Sequence, residues 1–305
     1  MPSKGSRGLP KGPSNAGKRI RTKTGPMQEC EVFMRLSEEM FGRYSKKNLN
    51  LLLRPRHAKY QVGMYGSATS QRRTLGTTGE RHESEHVIGF NVYAQPLDRT
   101  KGEGKAFELN GLAYLEVKEL HRVHPGTGSG AAANTYREQQ RAILEQGRLY
   151  QEDPASVTPA PTVAPKTVSS AVQLNQLEYA MDLRKREKQG ETGISEKDLQ
   201  IAHVSYEAMI LNGPSVSYVT SNAQGMKTTS FQVSQVEKAE MLLGREAAMT
   251  GVWPTQLRIN EVVKACGLDQ IDDKYSGSLF PRRVHKSDDV EHDGGDVEMP
   301  GGVNS

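Results

Sequence analysis

The stretch Arg81-His82-Glu83-Ser84-Glu85-His86-Val87-Ile88 sets two imidazoles and two carboxylates within five residues and then turns apolar. A second pair, His121 and His124, follows some thirty-five residues on, so four of the eight histidines fall into two tight clusters. Neutral imidazole and carboxylate are the ligands of zinc, magnesium and manganese, and imidazole is the side chain best placed to move protons near neutral pH. His82-Glu83-Ser84-Glu85-His86 also spells H-E-x-x-H. On a helix that pattern puts both imidazoles on one face for zinc and leaves Glu83 to activate water, as in a metalloprotease. Its surroundings argue against a helix: Leu75-Gly76-Thr77-Thr78-Gly79 precedes it without an apolar face, and the β-forming run Val87 to Tyr93 follows at once, which predicts a strand or hairpin there.

Outward from this point the chain reads as α+β. Leu112, Leu115 and Leu120, with Glu116, Lys118 and Glu119 between them, predict a short helix that delivers His121 and His124 and stops at Pro125. Gly126-Thr127-Gly128-Ser129-Gly130 has the look of a phosphate cradle, yet lacks the Lys-Ser/Thr of a P-loop and is read as a connector. The next helix is expected from Asn134 or Thr135 to Gly147, and an amphipathic helix over residues 29 to 46. Prolines from Pro154 to Pro165 mark a linker over 151–170. Beyond it a mainly helical region over 171–280 is expected. Ser195 caps one helix there, Ser234-x-x-Glu237 opens another and Thr255 a last one, with a small hairpin across Ser221 to Gly225.

Composition limits the rest. With 305 residues and 35% hydrophobic content the chain can bury one or two modest cores beside much solvated sequence. Cys30 and Cys266 show no zinc-ribbon or disulfide spacing. No apolar run reaches the roughly twenty residues of a membrane span, and no secretion signal is visible, so a cytoplasmic or nuclear location is expected, with export only by a non-standard route. Residues 1–27 carry Lys4, Arg7, Lys11, Lys18, Arg19, Arg21 and Lys23 and no acid, a basic unfolded arm. Residues 281–305 hold six acids between Asp288 and Glu298, an acidic tail of the same kind. The arm draws polyanions; Arg81, Arg137 and Arg141 are further candidates for contact with nucleic acid.

Glu85-His86-Val87-Ile88, Asn110, and a helix ending in His121 and His124 resemble, in order and residue type, the ββα-metal finger of the HNH endonucleases. The resemblance covers His82 to His124 and implies a small ββα-metal-like centre in a nuclease-like region over 28–150. It implies His86 as general base, Asn110 as its orienting residue, and Glu85 with His121 or His124 as ligands of a divalent ion (Mg, Mn or Zn), His82 being a further ligand. Gly89 stands where the family has proline, and no cysteine-bound structural zinc accompanies the motif. The region is also similar, more diffusely, to nuclease modules of bacterial polymorphic toxins, which implies an immunity or inhibitor protein as a partner besides nucleic acid. The function so implied is metal-dependent hydrolysis of phosphodiester bonds in DNA or RNA. The zinc protease, and a non-enzymatic nucleic-acid-binding or assembly protein built on the basic arm, are the competing readings.

Overall fold

A computed structural model of the chain describes residues 52–53, 60–157, 166–190, 193–212, 215–250 and 254–268. The basic arm with Lys18, Arg19 and Arg21, the helix expected over 29–46, residues 158–165 of the proline-rich linker and the acidic tail lie outside the described residues. Within them the fold is α+β, with two small antiparallel sheets among helices.

The order begins with helix α1 (Ala68–Leu75), strand β1 (His82–His86), the single turn α2 (Phe90–Tyr93) and α3 (Gly102–Asn110). Strand β2 (Ala113–Val117), α4 (Lys118–Val123) and the long α5 (Ala131–Glu152) follow. After the linker come α6 (Thr167–Lys188), α7 (Glu196–Leu211), the hairpin β3 (Ser215–Asn222) and β4 (Gly225–Gln232), then α8 (Gln235–Thr250) and α9 (Gln256–Ala265). β1 pairs with β2 from His82 opposite Val117 to His86 opposite Ala113, and α4 leaves directly from the end of β2. β1, β2 and α4 thus form one unit, with α2 and α3 inserted between its two strands.

The predicted strand over Val87 to Tyr93 is instead the exit from one. β1 is the polar segment His82–His86, and Phe90 to Tyr93 close a helical turn whose Phe90, Val92 and Tyr93 are buried. The predicted helix from Leu112 is likewise corrected: residues 113–117 form β2, every one of them buried. A strand covered on both faces loses its alternation and reads as a mixed run, and the spacing of Leu112, Leu115 and Leu120 imitated a helical stripe. Asn110 closes α3, a helix that lies between the two strands. α5 starts three residues early and runs through Gly147, where a Cβ would lie 2.1 Å from the Thr167 hydroxyl oxygen, so the glycine lets α5 and α6 approach.

α7 is the centre of the molecule. Leu199 and Ala202 join Val117, Leu120, Tyr179 and Leu183 in one apolar cluster, while Ile201, Val204 and Ala208 join Leu115, Ala68 and Leu75 in another. Sequence signals hold well here. Ser195 caps α7 by accepting from the Asp198 backbone N–H at 3.2 Å, Ser234 and Glu237 form the reciprocal box before α8, and Thr255 caps α9. The hairpin is present with a two-residue connection, Gly225 taking a φ of +114° that favours glycine. Because the Ser195 hydroxyl satisfies an otherwise orphan donor and also accepts from Arg81, Ser195→Ala is expected to cost about 1 kcal/mol in urea unfolding.

Candidate acid–base site

Alternation along β1 sends its side chains to two faces, and this sorts the histidine cluster. Glu83 and Glu85 face α4, where the partners are Arg122 and His121. His82 and His86 face the other way. His82 is fully buried, accepting from Thr77 Oγ1 through Nδ1 at 2.6 Å and donating from Nε2 to the Asp198 carbonyl at 2.9 Å. The ring of His86 stacks on Tyr65, centroids 4.1 Å apart, and its Nε2 donates to the Glu108 carbonyl at 3.2 Å. Burial keeps the His86 imidazole below its ordinary pKa.

The strand conformation removes the zinc-protease arrangement. Four residues of β-strand separate the Cα atoms of His82 and His86 by about 13 Å, and both rings are already engaged elsewhere. The proposed HNH set divides: the structure brings Glu85, His121 and His124 together, whereas His86 and Asn110 share no partner with them.

At the centre is a dyad. His121 Nδ1 lies 2.6 Å from Glu85 Oε2, and the second carboxylate oxygen of Glu85 accepts from Asn175 Nδ2 at 2.8 Å. The carboxylate is 3% exposed at the residue level, yet it stays charged. Burial raises its pKa, but the His121 hydrogen bond and the charges of His124 and His121 outweigh that and leave it at about 2. For His121, burial lowers the pKa and the Glu85 bond and charge more than reverse it, so the imidazolium is favoured. Its Nδ1–H is committed to Glu85; Nε2 remains, 3.6 Å from Glu83 Oε2, beyond hydrogen-bond reach.

His124 is held differently. Its Nδ1 accepts the Gly126 backbone N–H at 3.0 Å, so Nε2 must carry the proton of the neutral ring. That nitrogen faces Asn175 Nδ2 at 3.5 Å, another donor, because Asn175 Oδ1 already accepts from Gln176. Stacking on Tyr179 at 4.3 Å and an edge contact with Tyr136 complete its packing, and burial depresses its pKa. His124 supports the dyad without offering a lone pair.

The donor set does not fit a resident metal. Among the described residues no three His, Cys, Asp or Glu side chains are grouped to hold an ion. Glu85 is taken by His121 and Asn175, Glu83 by a two-pronged Arg122 bond, His82 by Thr77 and Asp198, and His124 by Gly126. No step is therefore assigned to a cation.

Beside Glu83, Arg122 is well exposed and Lys118 lies close enough to lower the Glu83 pKa. Arg81 is half-exposed and pairs with Asp198, and Arg186 on α6 pairs with Asp182 and reaches the Glu119 carbonyl. Arg137 instead ties together the glycine loop, bonding Gly128 O and Asn134, and Arg141 donates to the Asn91 carbonyl, so both have local structural work. Asn175 and Tyr179 carry no signal in the sequence, lying ninety or more residues from Glu85.

The titrations set a pH window. His86, His124 and His203 are held below their ordinary pKa, chiefly by burial, so stability they confer when neutral is lost as pH falls through 6.5. Glu85 has a lowered folded value, so its contribution is present above 4.5 and lost between 4.5 and about 2. The thermal midpoint is therefore expected to drop in two stages on acidification, and Glu85→Gln to make the lower stage smaller, the rest of it belonging to carboxyls such as Glu83, Glu108 and Glu207, which are also held below the usual carboxylate range.

In comparison with known proteins, the profile of one family, described as Agrobacterium VirD5 protein, matches residues 50–274. No curated protein and no solved structure matches the chain.

Proposed function

The chain belongs to the Agrobacterium VirD5 protein family. From the geometry of the dyad, and not from the family, we propose that it cleaves phosphodiester bonds in nucleic acid, with His121 as the proton donor and Glu85 as the residue that orients and charges it. The observation that carries this reading is the 2.6 Å contact between a buried carboxylate and His121 Nδ1, which leaves Nε2 pointing out of the dyad. A buried carboxylate behind an imidazole fixes its tautomer and stabilises its charged form.

The sequence of events follows from those states. Arg122, Arg81, Lys118 and Arg186 provide positive charge for the phosphate backbone, which is the salt-dependent part of binding. Water attacks phosphorus, the bond to the leaving oxygen breaks, and the Nε2 proton of His121 passes to that oxygen. The neutral imidazole then recovers a proton from the water that was consumed, closing the cycle. Glu83 stands 3.6 Å from Nε2 and keeps the local field negative, favouring reprotonation.

This places the proton chemistry on His121 and not on His86, the base implied by the HNH resemblance. The test is degradation of supercoiled plasmid and of single-stranded RNA by the full chain, run in chelator and with magnesium, manganese or zinc. Cleavage by wild type that disappears in His121→Ala supports the reading. Nucleic acid that is retarded but intact under every condition overturns it in favour of a binding protein.

A further inference from the structure

A cleft of about 370 Å³ opens away from the dyad, between α3, the end of α7, the start of β3 and the segment before α1. Its apolar wall includes Met64, Phe107, Leu112 and Met209. The walls are fixed in place. Gly63, at φ +101°, brings the backbone so close to α7 that a Cβ would lie 3.0 Å from Met209 Cα. Gly111 packs so closely on Tyr93 that a Cβ there would meet its hydroxyl at 2.3 Å.

Most polar groups lining it are satisfied by one another. Gln61 donates to the Asn212 carbonyl, Asn212 donates to the Val62 carbonyl, and the Tyr93 hydroxyl donates to Phe107 O. Four side chains differ, the Ser215 and Ser217 hydroxyls and, on α3, Glu103 and Asn110. Glu103 and Asn110, one above the other on the exposed side of α3, line the cleft and make no hydrogen bond or ion pair among the described residues. The neighbouring Lys101 and Lys105 are engaged by Asp98 and Glu108. Among the described residues no lysine or arginine lines the cleft. Its charge is thus a single unpaired carboxylate beside an amide, at the edge of an apolar pocket of small-ligand size.

From this we propose that the cleft binds a compact organic cation, an apolar body inserted between Phe107 and Met209 with a protonated amine received by Glu103 and Asn110. An anion would meet the Glu103 charge with no compensating base, and a neutral ligand would leave the carboxylate unused. The site is separate from the His121 dyad and does not depend on the cleavage reading.

The experiment uses the full chain and three fluorescent probes with one naphthalene sulfonamide body: dansylcadaverine, which ends in a protonated amine, its analogue ending in a carboxylate, and the neutral dansyl amide. Saturable binding of the amine at least about tenfold tighter than of the carboxylate is expected, with Glu103→Gln bringing the two within about threefold. Ala106→Trp, a change at an exposed lining position, should fill the cleft and remove binding of all three. Circular dichroism of both variants serves as the check that they fold. Absence of saturable binding, equal affinity for the charged probes in the wild type, or binding unchanged in Ala106→Trp each overturns the proposal.

Discussion

Replacing His121 with alanine is expected to lower phosphodiester cleavage by about 10²–10⁴-fold, the range spanned by removal of a positioned general acid. The imidazole is the one group in the dyad whose free nitrogen looks outward; Glu83 beside it is ionised and paired with Arg122, and His124 is turned inward. Glu85→Gln should act through a different quantity. The amide keeps the shape and can still accept from Nδ1, but the negative charge that favours the imidazolium is gone, so the alkaline arm of the pH–rate profile, where His121 loses its proton, should move to lower pH while substrate affinity changes little. A purely structural role for the pair would lower both variants through unfolding and leave the profile of the surviving protein in place. Added imidazole restoring part of the activity of His121→Ala would give the same distinction from the other side. If instead His86→Ala or Asn110→Ala abolished cleavage and His121→Ala did not, the chemistry would belong to the opposite face of β1.

How far this site could be read from the chain alone depends on the range of its interactions. The histidine and glutamate types are visible in the chain, and the resemblance sets Glu85 beside His121 or His124 without choosing between them, because the β1–β2–α4 unit is built from residues within forty positions. The helix caps at Ser195, Ser234 and Thr255 were visible for the same reason, since a cap is written within four residues. What sequence could not supply was which strand face each side chain takes. Moving β1 from 87–93 to 82–86 places Glu85 and His86 next to one another yet pointing apart, and that reversal decides which histidine joins the carboxylate. The error had a physical source: β1 is polar and short, while the apolar residues after it, which carry the usual strand signal, are buried as a helical turn. β2 failed in the complementary way, being buried on both faces and so without alternation. Asn175, Gln176 and Tyr179 come to the dyad from α6, across a linker, and local pattern has no access to contacts of that separation.

The support behind the dyad predicts the largest loss of stability. Glu116 on β2 and Arg245 on α8 are both fully buried, 3.6 Å apart, and are the charged pair that joins the strand layer to the helices behind it. Glu116 accepts from the Tyr114 hydroxyl at 2.6 Å and from the Val117 backbone N–H at 2.8 Å. The Arg245 guanidinium donates to Tyr114 and Gln176 and lies over the rings of Tyr114 and Tyr206, 5.1 and 4.6 Å from their centroids. Glu116→Ala removes the anion and leaves that cation in the interior, where neither the ring faces nor neutral acceptors replace a full charge. A loss of about 3–5 kcal/mol is expected in urea unfolding, because an unpaired buried ion costs more than the pair contributed. The same argument predicts that Glu116→Leu combined with Arg245→Met recovers most of the loss, since both charges leave together and apolar side chains fill the volume between the two tyrosines. A single-variant loss below about 1 kcal/mol, or a double variant no better than Glu116→Ala, would show that Arg245 keeps access to water or to another anion and that the pair is not what joins β2 to α8. Because Gln176, which Arg245 holds, in turn donates to the Asn175 amide oxygen, the recovered double variant should also show whether the dyad needs this pair: cleavage that stays low in a protein of restored stability would place Arg245 among the groups that position Asn175 against Glu85.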